Sequence, residues 1–286
     1  AHTPVPFPAE MAFLAAQRAR VPFVVCYHAG SLRGSSPWLE AAARVDRLTL
    51  ERRMLSGAQG LVAVSPYVLE HALRRQRDRT LVIPPGVDTV RFQPSQQERA
   101  REILFVAPLS HSYAWKGLDV LWRAFQALRR DDPDVRLRLV GSGDRLAEFQ
   151  AHAAGPKGAV QVDQRLSEEG LIEAYQRAAV VAVPSLTDAE SFGMVLAEAN
   201  ACATPVVASR VGGIPSFVRD GENGLLSEPG DVEALTANLR RVLDEPGLAA
   251  SLGERGRERV LQDHDWDRLA ARMESLLESS IGRLTT

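Results

Sequence analysis

Short apolar runs recur along this chain, separated by longer segments of helical period, and few folds accommodate that alternation. Val21 to Tyr27, Gly60 to Ser65, Thr80 to Ile83, Ile103 to Val106, Val135 to Leu139, Val160 to Val162 and Val180 to Val183 are rich in β-branched and aliphatic residues and read as strands. Helices are expected between them, at Pro8 to Arg18, Trp38 to Leu55 and Pro66 to Arg75. Leu118, Leu121, Phe125 and Leu128 mark a further one by their spacing. Strand, turn and helix come again at Pro205 to Asp220, then Gly224-Leu225-Leu226, then a helix capped by Asp231. Strands alternating with helices predict an α/β protein with parallel sheets. The polar stretch Gln93 to Glu102 reads as a linker, dividing the chain into residues 1–97 and 98–265. Trp266 to Leu284 is an amphipathic closing helix with Leu269, Met273, Leu276 and Leu277 on one face.

Function is concentrated in Glu190-Ser-Phe-Gly-Met-Val-Leu-Ala-Glu198, which places two carboxylates eight residues apart. Gly193 and the following Met-Val-Leu-Ala read as a helix start. At about 1.5 Å of rise per residue the two acids would stand roughly 12 Å apart, about the span from a sugar across a diphosphate to a ribose. Backbone N–H groups around Phe192 to Val195 would then form an anion site at a helix N-terminus.

Glu190, Phe192, Gly193 and Glu198 resemble the signature of the retaining nucleotide-sugar glycosyltransferases of glycosyltransferase family four, whose fold is GT-B. Other matches fall in family order. Val82-Ile83-Pro84-Pro85-Gly86-Val87-Asp88 resembles the turn ending the first domain, and Lys116-Gly117 the donor-phosphate lysine before its helix. Gly212-Gly213-Ile214-Pro215 and Asp220-Gly221-Glu222-Asn223-Gly224 resemble the next loop and turn. The resemblance implies two Rossmann-like domains with parallel sheets, the last helix crossing back to the first domain. It implies that Glu190 contacts donor-sugar hydroxyls and Glu198 the ribose. Lys116 meets the diphosphate, and His28, at the end of a strand, meets the donor sugar. Met194 and Val195 belong to the helix start, Gly141 and Gly143 line the nucleotide side, and Arg165 flanks the base. A fixed cation such as Lys116 acts most strongly as the leaving diphosphate gains charge in the transition state. The family's Arg after the first strand of the second domain is absent, replaced by Ala107-Pro108, and His111 is a candidate to compensate. His2-Thr3-Pro4 resembles an acceptor-side strand-end loop.

Other readings are weaker. A net charge of −2 argues against nucleic acid. Gly141-Ser142-Gly143 is not the full dinucleotide fingerprint and no acid follows where a ribose needs one, which disfavours a dehydrogenase. Asp132-Pro133-Asp134 and Asp263-His264-Asp265 read as helix stop and cap signals, so neither a metal nor another cofactor is expected. Cys26 and Cys202 read as buried small hydrophobes in a reducing cytoplasm. The basic stretch around Arg44, Arg47, Arg52 and Arg53 is compatible with peripheral contact at the inner membrane face, although Asp46 and Glu51 interleave it as on a solvated face. The resemblance also implies that the first domain is incomplete, since the family's opening strand, Gly-rich loop and further strand-helix units have no counterpart. The expected activity is therefore retaining transfer of a sugar from a nucleotide-diphosphate sugar to a glycan, lipid or small-molecule acceptor. The alternatives are a non-catalytic nucleotide-sugar-binding fragment needing a separate N-terminal piece and, last, a sugar-nucleotide epimerase of the same fold.

Overall fold

The computed structural model describes residues 1–3, 7–28, 49–153 and 158–282. The expected helix at 38–55 is described only from Leu50 to Gly57, and Pro4, Arg44, Asp46, Arg47 and Lys157 lie outside the described residues. The chain forms two compact units. One comprises Ala1–Gly86, Asp188–Phe192 and Trp266–Thr286, the other Val87–Thr187 and Gly193–Asp265.

The first unit is built on four parallel strands, β1 (His2–Thr3), β2 (Val24–Tyr27), β3 (Gly60–Ala63) and β4 (Thr80–Val82), in the order β1-β2-β3-β4. Alternate residues of these strands serve opposite faces. Val25, Tyr27, Leu61 and Ala63 pack with Phe13 of the helix Pro8–Ala19 and with Met54, Val68 and Leu73. Cys26 and Val62 pack instead with Ile83 and with Leu269, Met273 and Leu276 of the helix Trp266–Gly282. Local chemistry sets the helix ends. Pro66 opens its short helix with Ser65 as N-cap, the hydroxyl accepting from Val68 N–H at 3.2 Å. The helix expected over Pro66 to Arg75 ends at His71, and a 3-10 segment follows over Arg74–Arg79.

The second unit holds six parallel strands, β5 (Ala100–Val106), β6 (Arg136–Val140), β7 (Val160–Asp163), β8 (Ala178–Val183), β9 (Val206–Ser209) and β10 (Leu225–Ser227), in the order β10-β9-β8-β5-β6-β7. β5 to β7 run out to one side and β8 to β10 to the other. Direction therefore reverses between β5 and β8, and in open α/β sheets ligands bind beyond the carboxyl ends of the strands at such a point. Ile103, Phe105, Leu137, Leu139, Val180 and Val207 meet Leu121, Phe125 and Leu128 of the helix Leu118–Asp131 and Leu235 and Leu239 of the helix Val232–Asp244.

The boundary between units falls at Gly86, ahead of the polar stretch 93–102 expected as linker, and β5 already begins at Ala100. Arginines bind this stretch into the second unit. Arg257 donates to the carbonyls of Thr89 and Phe92 at 2.9 and 2.6 Å. Arg99 reaches the carbonyls of Tyr175, Gln176, Ala178, Cys202 and Ala203 and the hydroxyl of Thr204, all within 3.2 Å. Those carbonyls lie at the C-terminal ends of the helices Glu168–Arg177 and Met194–Ala201, where intrahelical donors run out and a cation is favoured.

Replacing a guanidinium that satisfies several carbonyls leaves them unpaired, at about 1–3 kcal/mol for each buried group that water does not reach. Arg99→Met is expected to lose about 2–4 kcal/mol in urea-induced unfolding, and a loss under about 0.5 kcal/mol would show that solvent or neighbouring donors replace Arg99.

Candidate functional site

Two loops meet at the carboxyl ends of β5 and β8, and backbone contacts hold them together. Leu186 N–H donates to the Trp115 carbonyl at 2.7 Å. Gly117 has φ +77°, and a Cβ there would stand 1.9 Å from the Pro184 carbonyl oxygen, so only glycine allows this approach. Lys116 is thereby seated directly beside the strand switch. Its ammonium lies 4.4 Å from the centroid of the Trp115 ring, a cation–π pair that steers the flexible side chain. Gly117 then begins the helix Leu118–Asp131 as its N-cap.

A pair of glycines after β6 works the same way. A Cβ on Gly141 would fall 1.9 Å from the Ala107 carbonyl oxygen, and one on Gly143 2.1 Å from that of Leu109. Leu109 N–H donates to Ser142 and Arg145 N–H to Leu109, both at 2.9 Å. The turn after β6 thus lies flat on the loop after β5. Pro108 is exposed on that loop. His111, the residue considered as a substitute for the missing arginine, is exposed and committed to Asp144, which accepts its backbone N–H at 2.9 Å and pairs with its ring at 3.3 Å. Arg145 is likewise engaged by Asp119 and Glu148 at 2.6 and 3.1 Å. Arg165 is exposed in the loop after β7.

The motif 190–198 is not one element. The helix runs from Met194 to Ala201, and Gly193 before it has φ +85°. Asp188–Phe192 groups with the first unit and Gly193 onward with the second. The helical rise therefore applies only from Met194, and the expectation that one helix sets the spacing of Glu190 and Glu198 is corrected. Glu190 and Phe192 are buried, at 6% and 4% exposure. Met194, Val195 and Glu198 are half-buried on the helix, whose start carries no side-chain cap. Glu198 accepts a hydrogen bond from the Tyr175 hydroxyl at 2.6 Å. Burial raises the Glu198 carboxyl above its usual range; Tyr175 opposes that shift and the nearby charge of Glu168 adds to it. Tyr175 reads in the sequence as packing. Its link to Glu198 across 23 residues has no local signal.

His28 stands just beyond β2 in the first unit, where its ring nitrogen Nε2 lies 2.6 Å from Nδ1 of His2. His2 is in β1, so His2-Thr3, expected as a loop, is a strand that brings two imidazoles together. Both border a cleft of about 630 Å³ lined by Val62, Ile83, Leu269 and Met273. Partial burial and the proximity of His2 hold the His28 ring below the ordinary histidine range. Asp188 of the same unit accepts from the Tyr67 hydroxyl at 3.2 Å.

Comparison with known proteins gives these residues a context. Residues 87–259 match the family model described as glycosyl transferases group 1, and residues 1–91 that of glycosyltransferase family 4. A GDP-mannose-dependent alpha-(1-6)-phosphatidylinositol monomannoside mannosyltransferase of Mycolicibacterium smegmatis is 38% identical over 68% of this chain and 55% of its own. A D-inositol 3-phosphate glycosyltransferase of Actinosynnema mirum is 35% identical over 85% of this chain and 63% of its own. The chain thus spans about half to five-eighths of the length of these relatives. Among solved structures, a sucrose-phosphate synthase from Thermosynechococcus elongatus superposes with a TM-score of 0.75 at 29% identity, over 94% of this chain and 71% of its own. Anabaena HepE with UDP gives 0.79 at 22% identity over 95% and 76%, a likeness of fold, and the fold is GT-B.

The histidine pair yields a direct prediction. His2→Ala removes the neighbouring imidazole's charge and uncovers the His28 ring to water, relieving burial and charge together, so it is expected to raise the His28 pKa in an NMR titration. An unchanged value would mean that the two rings do not interact in solution.

Proposed function

We propose that this chain, which belongs to the glycosyl transferases of group 1, contributes the donor site of a retaining transfer of a sugar from a nucleotide-diphosphate sugar to an acceptor. The observation that carries the reading is the placement of Lys116 by the Gly117–Pro184 approach at the reversal between β5 and β8. A nucleoside diphosphate there meets a cation and the uncapped first turn of the helix Met194–Ala201, two features that favour an anion.

In the proposed step the bond from the anomeric carbon to the leaving phosphate oxygen breaks, and a bond to an acceptor oxygen forms on the same face. The acceptor's proton passes to the departing phosphate. Lys116 and the N–H groups of Met194 and Val195 hold the negative charge as it develops, an interaction stronger in the transition state than in the ground state. Glu190 and His28 orient the sugar, Glu198 takes the ribose hydroxyls, and Phe192 and Gly193 shape the turn between the two acids. Gly141 and Gly143 keep the nucleotide side open by letting their turn lie against the loop after β5. Arg165 flanks the base. Neither a metal ion nor a further cofactor is assigned a role.

The printed activities of the relatives support a donor of this class. One is GDP-mannose-dependent and HepE was solved with UDP-glucose. Their acceptors, an inositol phosphate in one case and a phosphatidylinositol monomannoside in another, support a polyol acceptor, either free or on a lipid. We place the reaction in the cytoplasm, a setting compatible with two buried free cysteines, and with peripheral membrane contact if the acceptor is a lipid. No helix among the described residues is long and apolar enough to cross a membrane.

The test is release of nucleoside diphosphate from UDP-, GDP- and ADP-sugars in the presence of inositol phosphate and phosphatidylinositol acceptors. Lys116→Ala is expected to lower kcat about 10²–10³-fold, as for loss of one transition-state donor, with a smaller change in nucleotide affinity. Glu190→Ala is expected to lower kcat with nucleotide affinity preserved. Turnover unchanged in both variants would overturn the assignment. Nucleotide binding without release by the unaltered chain would restrict the function to binding.

A further inference from the structure

Resting on the reading of Glu198 as the acid that meets the ribose, we propose that Tyr175 is a positioning residue for nucleotide binding. It fixes Oε2 of Glu198 so that Oε1 is the oxygen offered to a ribose diol.

The geometry singles out this pair. The Tyr175 side chain is fully buried on the helix Glu168–Arg177, and its hydroxyl donates to Glu198 Oε2 at 2.6 Å. A buried phenol requires a polar partner, and here the partner is an acid on the half-buried face of another helix. The other end of Tyr175 is equally constrained. Its carbonyl accepts from Thr204 Oγ1 at 2.7 Å and from Arg99 at 3.2 Å, and its ring lies 6.2 Å from that of Phe92. A rigid ring held at both ends can restrict a carboxylate to one rotamer. A freely rotating Glu198 would forfeit that freedom only on binding.

Charge strengthens the link. A phenol donating to an ionised carboxylate makes a hydrogen bond roughly twice as strong as a neutral pair. Burial and the Glu198 charge push the Tyr175 hydroxyl well above its ordinary range, so it remains a donor at working pH. The groups facing Glu198 are Tyr175, Glu168 and the Cys202 thiol, with Arg99 and Arg257 beyond that thiol. Of these, Tyr175 is the one that favours the ionised carboxyl through a direct bond.

The sign follows. Ribose hydroxyls donate to an ionised Glu198, so affinity is lost as pH falls through the Glu198 pKa. Without the Tyr175 bond that pKa rises, and the loss begins at higher pH.

The experiment compares the unaltered chain with Tyr175→Phe, using UDP and GDP as probes in calorimetric titrations from pH 5.5 to 9, beside ¹³C NMR titration of the Glu198 carboxyl. Tyr175→Phe is expected to raise the Glu198 pKa and to weaken binding about tenfold near neutrality, the order for one charge-assisted hydrogen bond. The gap narrows towards pH 9, and the preference for ribo- over 2′-deoxynucleotide shrinks. Glu198→Gln flattens the pH dependence in both backgrounds. If Tyr175→Phe fails to fold, 3-fluorotyrosine at position 175, a stronger donor, is expected to shift the Glu198 pKa downward. A carboxyl that titrates identically with and without the phenol hydrogen bond overturns the proposal. So does binding weakened with an unshifted carboxyl and an unchanged preference for ribo- over 2′-deoxynucleotide, the result expected of packing alone. A shifted carboxyl in a chain that binds neither nucleotide overturns the donor-site reading, and the Tyr175–Glu198 coupling then stands without that ligand.

Discussion

The approach of Gly117 to the Pro184 carbonyl is the constraint on which the candidate site depends. Any side chain at position 117 would occupy the space of that oxygen, at 1.9 Å from its centre. The contact joins the loop after β5 to the loop after β8 where the strand order reverses. With the hydrogen bond from Leu186 to Trp115, it converts two surface loops into one support for Lys116. Loops are ordinarily the mobile part of an α/β domain. Here backbone contact adds to the packing of Ala107 and Leu109 in the core, so a charged residue can be presented at a defined place.

Around this support, polar groups are held by partners from other elements. Arg99 gathers the carbonyl ends of two helices, one carrying Tyr175 and the other Glu198, and Tyr175 joins the two helices again through its hydroxyl. The helix of Glu198 is thus held at its C-terminal end, and its carboxylate from the neighbouring helix. In the first unit, the pairing of β1 with β2 brings His2 to His28, and a parallel register of Cys26 opposite His2 accounts for the meeting. In both units an acid or imidazole assigned to the donor is oriented by a second residue far away in sequence.

Much of the fold was legible because it rests on local signals. Apolar runs located β2 to β10 to within a few residues, and Asp231 marked a helix start that its side chain does cap. Pro8, Pro66 and Pro246 stand at first turns, as expected of a residue without an N–H. The errors arose where distant partners decide. Arg99 and Arg257 turned a polar stretch that resembles a linker into part of the second unit. Gly193, with its left-handed backbone, separated Glu190 from the helix of Glu198, so an estimate of spacing from helical rise did not apply. His111 was considered as a free cation near the phosphates, yet Asp144, 33 residues away, holds it. Tyr175 and Trp115 carry no local mark of their roles. Lys116, by contrast, was legible from a local pair, Lys116-Gly117 ahead of a helix.

The central claim is that the reversal between β5 and β8 is a nucleoside-diphosphate site framed by Lys116, the first turn of the helix Met194–Ala201, and Glu198. A crystal structure of the chain grown with UDP or GDP tests it most directly. The account predicts the diphosphate within hydrogen-bonding distance of Lys116 Nζ and the N–H groups of Met194 and Val195, with the ribose hydroxyls on Glu198. A nucleotide bound elsewhere on the molecule, or with its phosphates turned away from Lys116, would contradict it.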